Sequence, residues 1–318
     1  MAATTWNWKT TGAAALVLTF VPVLGAEEKK FTYLPLGDSI AFGVDPTQLP
    51  PISTSVPGPE AFTGYPERVA EVRKLLQAKK LANASCPGES SGSFLTFGAR
   101  DLGCNDVGPQ GQPPWKPSIG LRTNYAGTQM EFAQKQLRSH EKIDLVTLSI
   151  GGNDLSIVQK DCGLSANGDP AAFAACVQQK LFVETPAGGL APGEVLQAYA
   201  ANLTQILTRI RAGAEYKGTL VLLTYYSPSA DPLTTGAIFA LNQVMAGVGA
   251  PFGAKIADGF AAFQMASGPD GDPCRAGLLV ELTPRPNLSC DIHPSVKGRN
   301  LLAAAVVGAI ETKGKRDE

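Results

Sequence analysis

Four short stretches, far apart in the chain, carry side chains on which acyl chemistry depends: Gly37-Asp38-Ser39, Pro87-Gly88-Glu89, Gly151-Gly152-Asn153-Asp154 and Asp291-Ile292-His293. Each alone is a weak signal, because Gly, Asp, Asn and Ser are ordinary turn formers. Together they supply a hydroxyl nucleophile in Ser39, a bare backbone N–H at Gly88, a side-chain amide donor in Asn153, and an imidazole base in His293 with the carboxylate of Asp291 nearby. Acyl transfer needs that inventory.

Such groups work only if something rigid brings them together, and the apolar pattern says what. Strand-like runs occur at Phe31 to Leu36, Leu81 to Cys86, Asp144 to Gly151, Thr219 to Tyr226 and Ala254 to Phe260. Between them lie helical patterns. The stretch Tyr65 to Lys80 repeats apolar residues at Val69, Val72, Leu75 and Leu76, and Val195 to Ile210 aligns Leu196, Tyr199, Leu203, Ile206, Leu207 and Ile210 on one face. Further helices are predicted over Thr123 to His140, Thr235 to Val248 and Ser295 to Ile310. Continuous apolar strands alternating with amphipathic helices predict a parallel sheet of about five strands covered on both faces, a three-layer α/β/α sandwich. The candidate groups then fall at the carboxyl ends of strands, where open parallel sheets place their chemistry. Three stretches rich in Gly, Pro, Ser and Asn, 45–64, 87–120 and 158–193, read as long irregular insertions at that same end, the kind used for binding or as lids.

With 27 Lys and Arg against 28 Asp and Glu, the net charge of −1 gives no reason to expect nucleic acid or an anionic membrane as partner. The start of the chain has one Lys9, an apolar stretch from Gly12 to Leu24, and small residues at Gly25 and Ala26, the pattern of a secretory signal over residues 1–26. Residues 27–318 then form one catalytic domain, expected as a secreted monomer, extracellular or periplasmic. No later segment resembles a membrane helix, so no integral span is expected. The six cysteines fit an oxidising compartment. Cys86 with Cys104, Cys162 with Cys176, and Cys274 with Cys290 are neighbouring couples, each enclosing a Gly/Pro-rich loop, and sequential pairing is expected. No Cys-x-x-Cys occurs and only two histidines exist, which argues against zinc.

At these residues the chain resembles the SGNH, or GDSL-type, hydrolases, whose name lists the Ser, Gly, Asn and His of four separated blocks. Here they are GDSIAFG from Gly37 with Ile40 for the usual Leu, CPGES from Cys86, GGND from Gly151 and DIHP from Asp291, spanning Leu36 to Pro294. The resemblance implies a flavodoxin-like α/β/α fold and hydrolysis of small-molecule or lipid esters with no metal or organic cofactor. It implies Ser39 as nucleophile, His293 as base, and the backbone N–H groups of Ser39 and Gly88 with the Asn153 amide as oxyanion donors. One position departs: the family's carboxylate usually lies three residues before the histidine, where this chain has Cys290. Asp291 lies two before it, on the same side of an extended segment. Either Asp291 or a backbone carbonyl then orients His293.

Gly88-Glu89-Ser90-Ser91-Gly92 also fits G-x-S-x-G, but the loop-like SGSFLTFG that follows lacks the helix a nucleophile elbow requires. Asp38 and Asp154 read as structural carboxylates, and His140 as a solvated residue at a helix end. The sequons at Asn83 and Asn202 read as chance matches, lying in a strand and on a packed helix; a third begins at Asn287. The expected function is a secreted serine esterase or lipase. Its alternatives are a carbohydrate acetyl esterase, for which Trp115 would offer a sugar platform as readily as a lipid groove, and a non-catalytic binding protein on the same fold.

Overall fold

The computed structural model describes residues 32–50, 52–72, 80–108, 111–139, 142–186 and 188–311. The signal-like segment, His140 and the basic tail lie outside these residues. Strands β1 (Thr32–Gly37), β2 (Lys80–Leu81) and β3 (Leu145–Ser149) are followed by a small hairpin, β4 (Phe182–Glu184) and β5 (Leu190–Pro192). Then come β6 (Thr219–Leu223), β7 (Lys255–Ala257) and a second hairpin, β8 (Leu279–Thr283) and β9 (Ser289–Pro294). The main sheet has the order β2-β1-β3-β6-β7, with every pair parallel. Counting only its own strands this is 2-1-3-4-5, the flavodoxin-like order, whose direction reverses beside β1. Leu34, Leu36, Leu145, Val146, Leu148, Val221 and Leu222 are buried within it, as a sheet covered on both faces requires.

The helices are α1 (Ser39–Phe42), α2 (Tyr65–Val72), α3 (Ser91–Leu95), α4 (Gln129–Leu137), α5 (Gly152–Ala166), α6 (Pro170–Leu181), α7 (Glu194–Thr208), α8 (Pro232–Gly249), α9 (Gly259–Ser267) and α10 (Val296–Glu311). They form two packed groups. One joins α2 and α9 to α10, which lies on β6 and β7, and the other joins α3, α4, α7 and α8. These are the outer layers of the predicted sandwich.

Five expectations change. Residues 158–193 are not irregular: α5 and α6 form a hairpin closed by the disulfide Cys162–Cys176, and β4–β5 follows. Asp169 caps α6 ahead of Pro170, and the Ala-rich run behind it is a strong helix former. The stretch after Ser90 opens with the short helix α3, not a loop, because Ser90 and Ser93 form a reciprocal capping box. The second strand is formally only Lys80–Leu81, although Ala82, Ala84 and Cys86 continue to donate to the carbonyls of Tyr33, Pro35 and Gly37. Asn83 turns its side chain back onto the N–H and hydroxyl of Ser85, which interrupts regular pairing. Asp258 ends the last sheet strand early by capping α9. Finally, the helix Pro232–Phe252, which includes α8, is long and apolar enough to cross a membrane. Here it packs against α7, β6 and β7, and its Asn242 bonds both backbone groups of Tyr225.

Candidate active site

β1 ends where Gly37 pairs with Ser149, and Asp38 donates its N–H to the Ser149 carbonyl. Asp38 then caps α1, its Oδ1 accepting from the Ile40 N–H at 3.0 Å, so Ser39 stands as the first helical residue over the crevice between β1 and β3. That crevice is the switch point of the sheet, where ligands of such folds bind. Asn153 reaches it from the start of α5. Its neighbour Gly152 packs against Tyr225, where a Cβ would come within 2.7 Å of the ring. Ser39, Asn153, Tyr225, Tyr226 and Ile292 line one cavity of about 90 Å3.

Gly88 lies in a loop tied down by the disulfide Cys86–Cys104. Its φ of +84° and the Leu102 backbone, 2.4 Å from where a Cβ would sit, restrict the position to glycine. Among the described residues neither the Ser39 N–H nor the Gly88 N–H has a hydrogen-bond acceptor. The Asn153 amide donates to the Glu89 carbonyl at 2.9 Å and, more weakly, to Asp38 Oδ2 at 3.5 Å.

His293 comes from β9, which packs against α1. Its Nδ1 lies 2.5 Å from Asp291 Oδ1, and the same oxygen accepts the His293 backbone N–H at 2.9 Å. A carboxylate, not a backbone carbonyl, therefore faces Nδ1. Burial opposes ionisation of Asp291, but the hydrogen bond and charge of His293 prevail and hold its carboxyl below the usual range. An ionised carboxylate only accepts, so Nδ1 carries a proton in this contact and Nε2 is the nitrogen whose lone pair is available whenever the ring is neutral. Nε2 is buried and has no hydrogen-bond partner. The strand is held by the disulfide Cys274–Cys290, by Tyr226, whose hydroxyl donates to the Ile292 carbonyl at 2.6 Å, and by Arg299, whose Nε donates to the Pro294 carbonyl.

A model of the GDSL-like lipase/acylhydrolase family matches residues 36–301. The chain belongs to that family. Among solved structures it is similar to phospholipase A1 from Streptomyces albidoflavus NA297, at 18% identity over 88% of this chain and 99% of that one, with a TM-score of 0.52. It is also similar to the extracellular lipase from Streptomyces rimosus, at 19% identity over 88% and 99%, with a TM-score of 0.51. No curated protein matches it. At such identities the structural likeness establishes the fold, and the family match rests on the sequence itself.

In this GDSL-like family member the competing serine is already occupied. Ser90 is buried, accepts from the Ser93 N–H and donates to the Arg100 carbonyl at 2.8 Å. Asp154 accepts from both the backbone and the hydroxyl of Ser91, which in turn receives Asn202. Asn83 is buried and donates to the Ala41 carbonyl and Glu67. Trp115 is no platform: it packs edge-on against Phe42 and Phe62 in a small buried cluster.

Two supporting groups escaped the sequence reading. Buried Gln129 accepts the Gly37 N–H at 2.6 Å and donates to both the Gly37 carbonyl and Glu89 Oε2, joining the end of β1 to the Gly88 loop. Its signal was faint, a polar residue just inside the Thr128–Glu131 capping box. Tyr225 donates to Asp38 Oδ2 at 2.5 Å. It follows β6, and the strand-end rule that marked Ser39 applies there too.

This layer has a pH signature. Burial pushes Asp38 up to about 6 despite hydrogen bonds from Tyr225 and Ile40, and pushes Glu89 up to about 7 despite those from Ser93 and Gln129. Both carboxyls titrate higher folded than unfolded. Their stabilising contribution is complete below the ordinary carboxylate range and is lost as pH rises through those values. The melting temperature should therefore fall between about pH 4 and pH 7, and Glu89→Gln should flatten that fall. Equal slopes in the two proteins, followed by circular dichroism, would contradict this account of Glu89.

Proposed function

We propose that the protein is a secreted serine hydrolase that cleaves carboxylic esters through an acyl-enzyme on Ser39. The observation that carries this is the Asp291–His293 pair, with Nε2 buried and unpartnered on a strand packed against the Ser39 helix. Ser39 Oγ attacks the ester carbonyl as its proton passes to Nε2, and the new imidazolium is stabilised by Asp291. The oxyanion is received by the free N–H groups of Ser39 and Gly88. Asn153 adds a third donor by giving up its 3.5 Å bond to Asp38. The carbon–oxygen bond to the alcohol breaks, the alcohol takes the proton from Nε2, and water repeats the sequence to release the acid. No step calls for a metal or cofactor.

The three disulfides and the extracellular lipase among its structural neighbours favour secretion. Trp115, the residue that could have served a carbohydrate acetyl esterase as a sugar platform, is buried. The test is a panel of soluble aryl esters of increasing acyl length set beside acetylated oligosaccharides. Hydrolysis of the aryl esters is expected, and turnover confined to the glycans would overturn the lipid-ester reading. A protein that hydrolyses neither would be the non-catalytic binder.

A further inference from the structure

Two donors meet at Asp38 Oδ2. The Tyr225 hydroxyl donates to it at 2.5 Å, while the Asn153 amide approaches no nearer than 3.5 Å. Asn153 Nδ2 carries two protons, and one is committed to the Glu89 carbonyl at 2.9 Å. The other is the one the amide can offer to a developing oxyanion, and Asp38 Oδ2 competes for it. Tyr225 is itself firmly placed. Asn242 of α8 bonds both its backbone groups, and its ring fits against Gly152, the residue before Asn153, so closely that a Cβ there would lie 2.7 Å from a ring carbon. Tyr225 also lines the cavity together with Ser39 and Asn153.

We infer that Tyr225 is a positioning residue for the oxyanion hole: by occupying Asp38 Oδ2 it keeps the second Asn153 proton free for the substrate. The inference rests on the ester-hydrolase reading and deepens it. Asp38 is 1% exposed, so an Oδ2 stripped of its tyrosine has no ready access to water. Oδ1 is already engaged by the Ile40 N–H, and a buried carboxylate oxygen without a donor is costly. The Asn153 amide, already 3.5 Å away, is the donor that can close in. A proton held by that carboxylate stabilises the resting enzyme and not the transition state, so its capture lowers kcat and leaves KM nearly unchanged.

The experiment measures kcat and KM for an aryl ester at about pH 9, where Asp38, pushed by burial up to about 6, is ionised. It compares the wild type, Tyr225→Phe, Asn153→Ala and the double variant. Asn153→Ala should lower kcat by about 10^2 to 10^3, the cost of one oxyanion donor, and Tyr225→Phe by at least about tenfold with KM within about twofold. In the double variant the tyrosine change should cost less than about threefold beyond Asn153→Ala, because no amide is left to capture. Losses that multiply in the double variant, or a Tyr225→Phe enzyme within about threefold of the wild type, would overturn the inference. Asp38→Asn covers the case in which Tyr225→Phe does not fold. Its amide can keep the Ile40 cap through Oδ1 and present a donor where Oδ2 stood, so Asn153 finds no acceptor there. Adding Tyr225→Phe to it should change kcat by less than about threefold, and a larger drop would overturn the inference. Crystal structures give a readout without turnover: the Asn153 Nδ2 to Asp38 Oδ2 distance should close from 3.5 Å to about 2.9 Å in Tyr225→Phe. If it closes in a protein that hydrolyses no ester, the control of Asn153 by Tyr225 stands and the ester-hydrolase reading falls. If it stays open, the inference falls whatever the kinetics.

Discussion

Ser39→Ala should lower kcat toward an aryl ester by on the order of 10^6, with no loss of thermal stability. The hydroxyl makes no hydrogen bond among the described residues, and the backbone that positions it is fixed by Asp38, Gly37 and Gln129. Removing the oxygen therefore removes the chemistry and little else. His293→Ala should cost about as much, and the double variant hardly more, because nucleophile and base act as one unit. Stopped assays on folded protein decide the matter. A Ser39→Ala protein that keeps more than about a hundredth of the activity would require another nucleophile.

The second large effect is expected at Asp291. Asp291→Ala should lower kcat by on the order of 10^4, since the carboxylate both fixes the proton on Nδ1 and stabilises the imidazolium. Asp291→Asn is the sharper variant. It keeps the size of the side chain but can present an N–H to Nδ1, which would move the ring proton to Nε2 and take away the base. A comparable loss in Asp291→Asn and Asp291→Ala, measured on protein that circular dichroism shows to be folded, is the predicted outcome of steady-state kinetics. A loss below about tenfold in both would mean that Ser39 and His293 suffice as a dyad.

The layers of the fold were legible because each sheet strand is a continuous apolar run and each main helix repeats at its own period. The strand-end residues were legible for a related reason: once a parallel sheet is inferred, only a few positions can face the crevice. What the sequence hid was local competition. Asn83 capturing Ser85, Asp169 capping α6, and Ser90 with Ser93 starting α3 are side-chain choices that a run of Gly, Ser and Asn does not rank in advance. β8 and β9 escaped because they are short and only partly buried, which gives a weak pattern, yet that hairpin is what carries Asp291 and His293. Gln129 and Tyr225 were hidden by distance, since their partners lie 92 and 187 residues away. A groove lined by α6, the β4–β5 hairpin and α8 joins distant segments, and no local pattern could announce it.

The claim on which the whole account turns is that Ser39 is the nucleophile served by His293. The direct measurement is covalent labelling by a fluorophosphonate, followed by peptide mass analysis of the wild type, Ser39→Ala and His293→Ala. The account predicts a single adduct on the peptide containing Ser39, absent in Ser39→Ala and formed far more slowly in His293→Ala. An adduct on Ser90, or on any other residue, that persists in Ser39→Ala would contradict it.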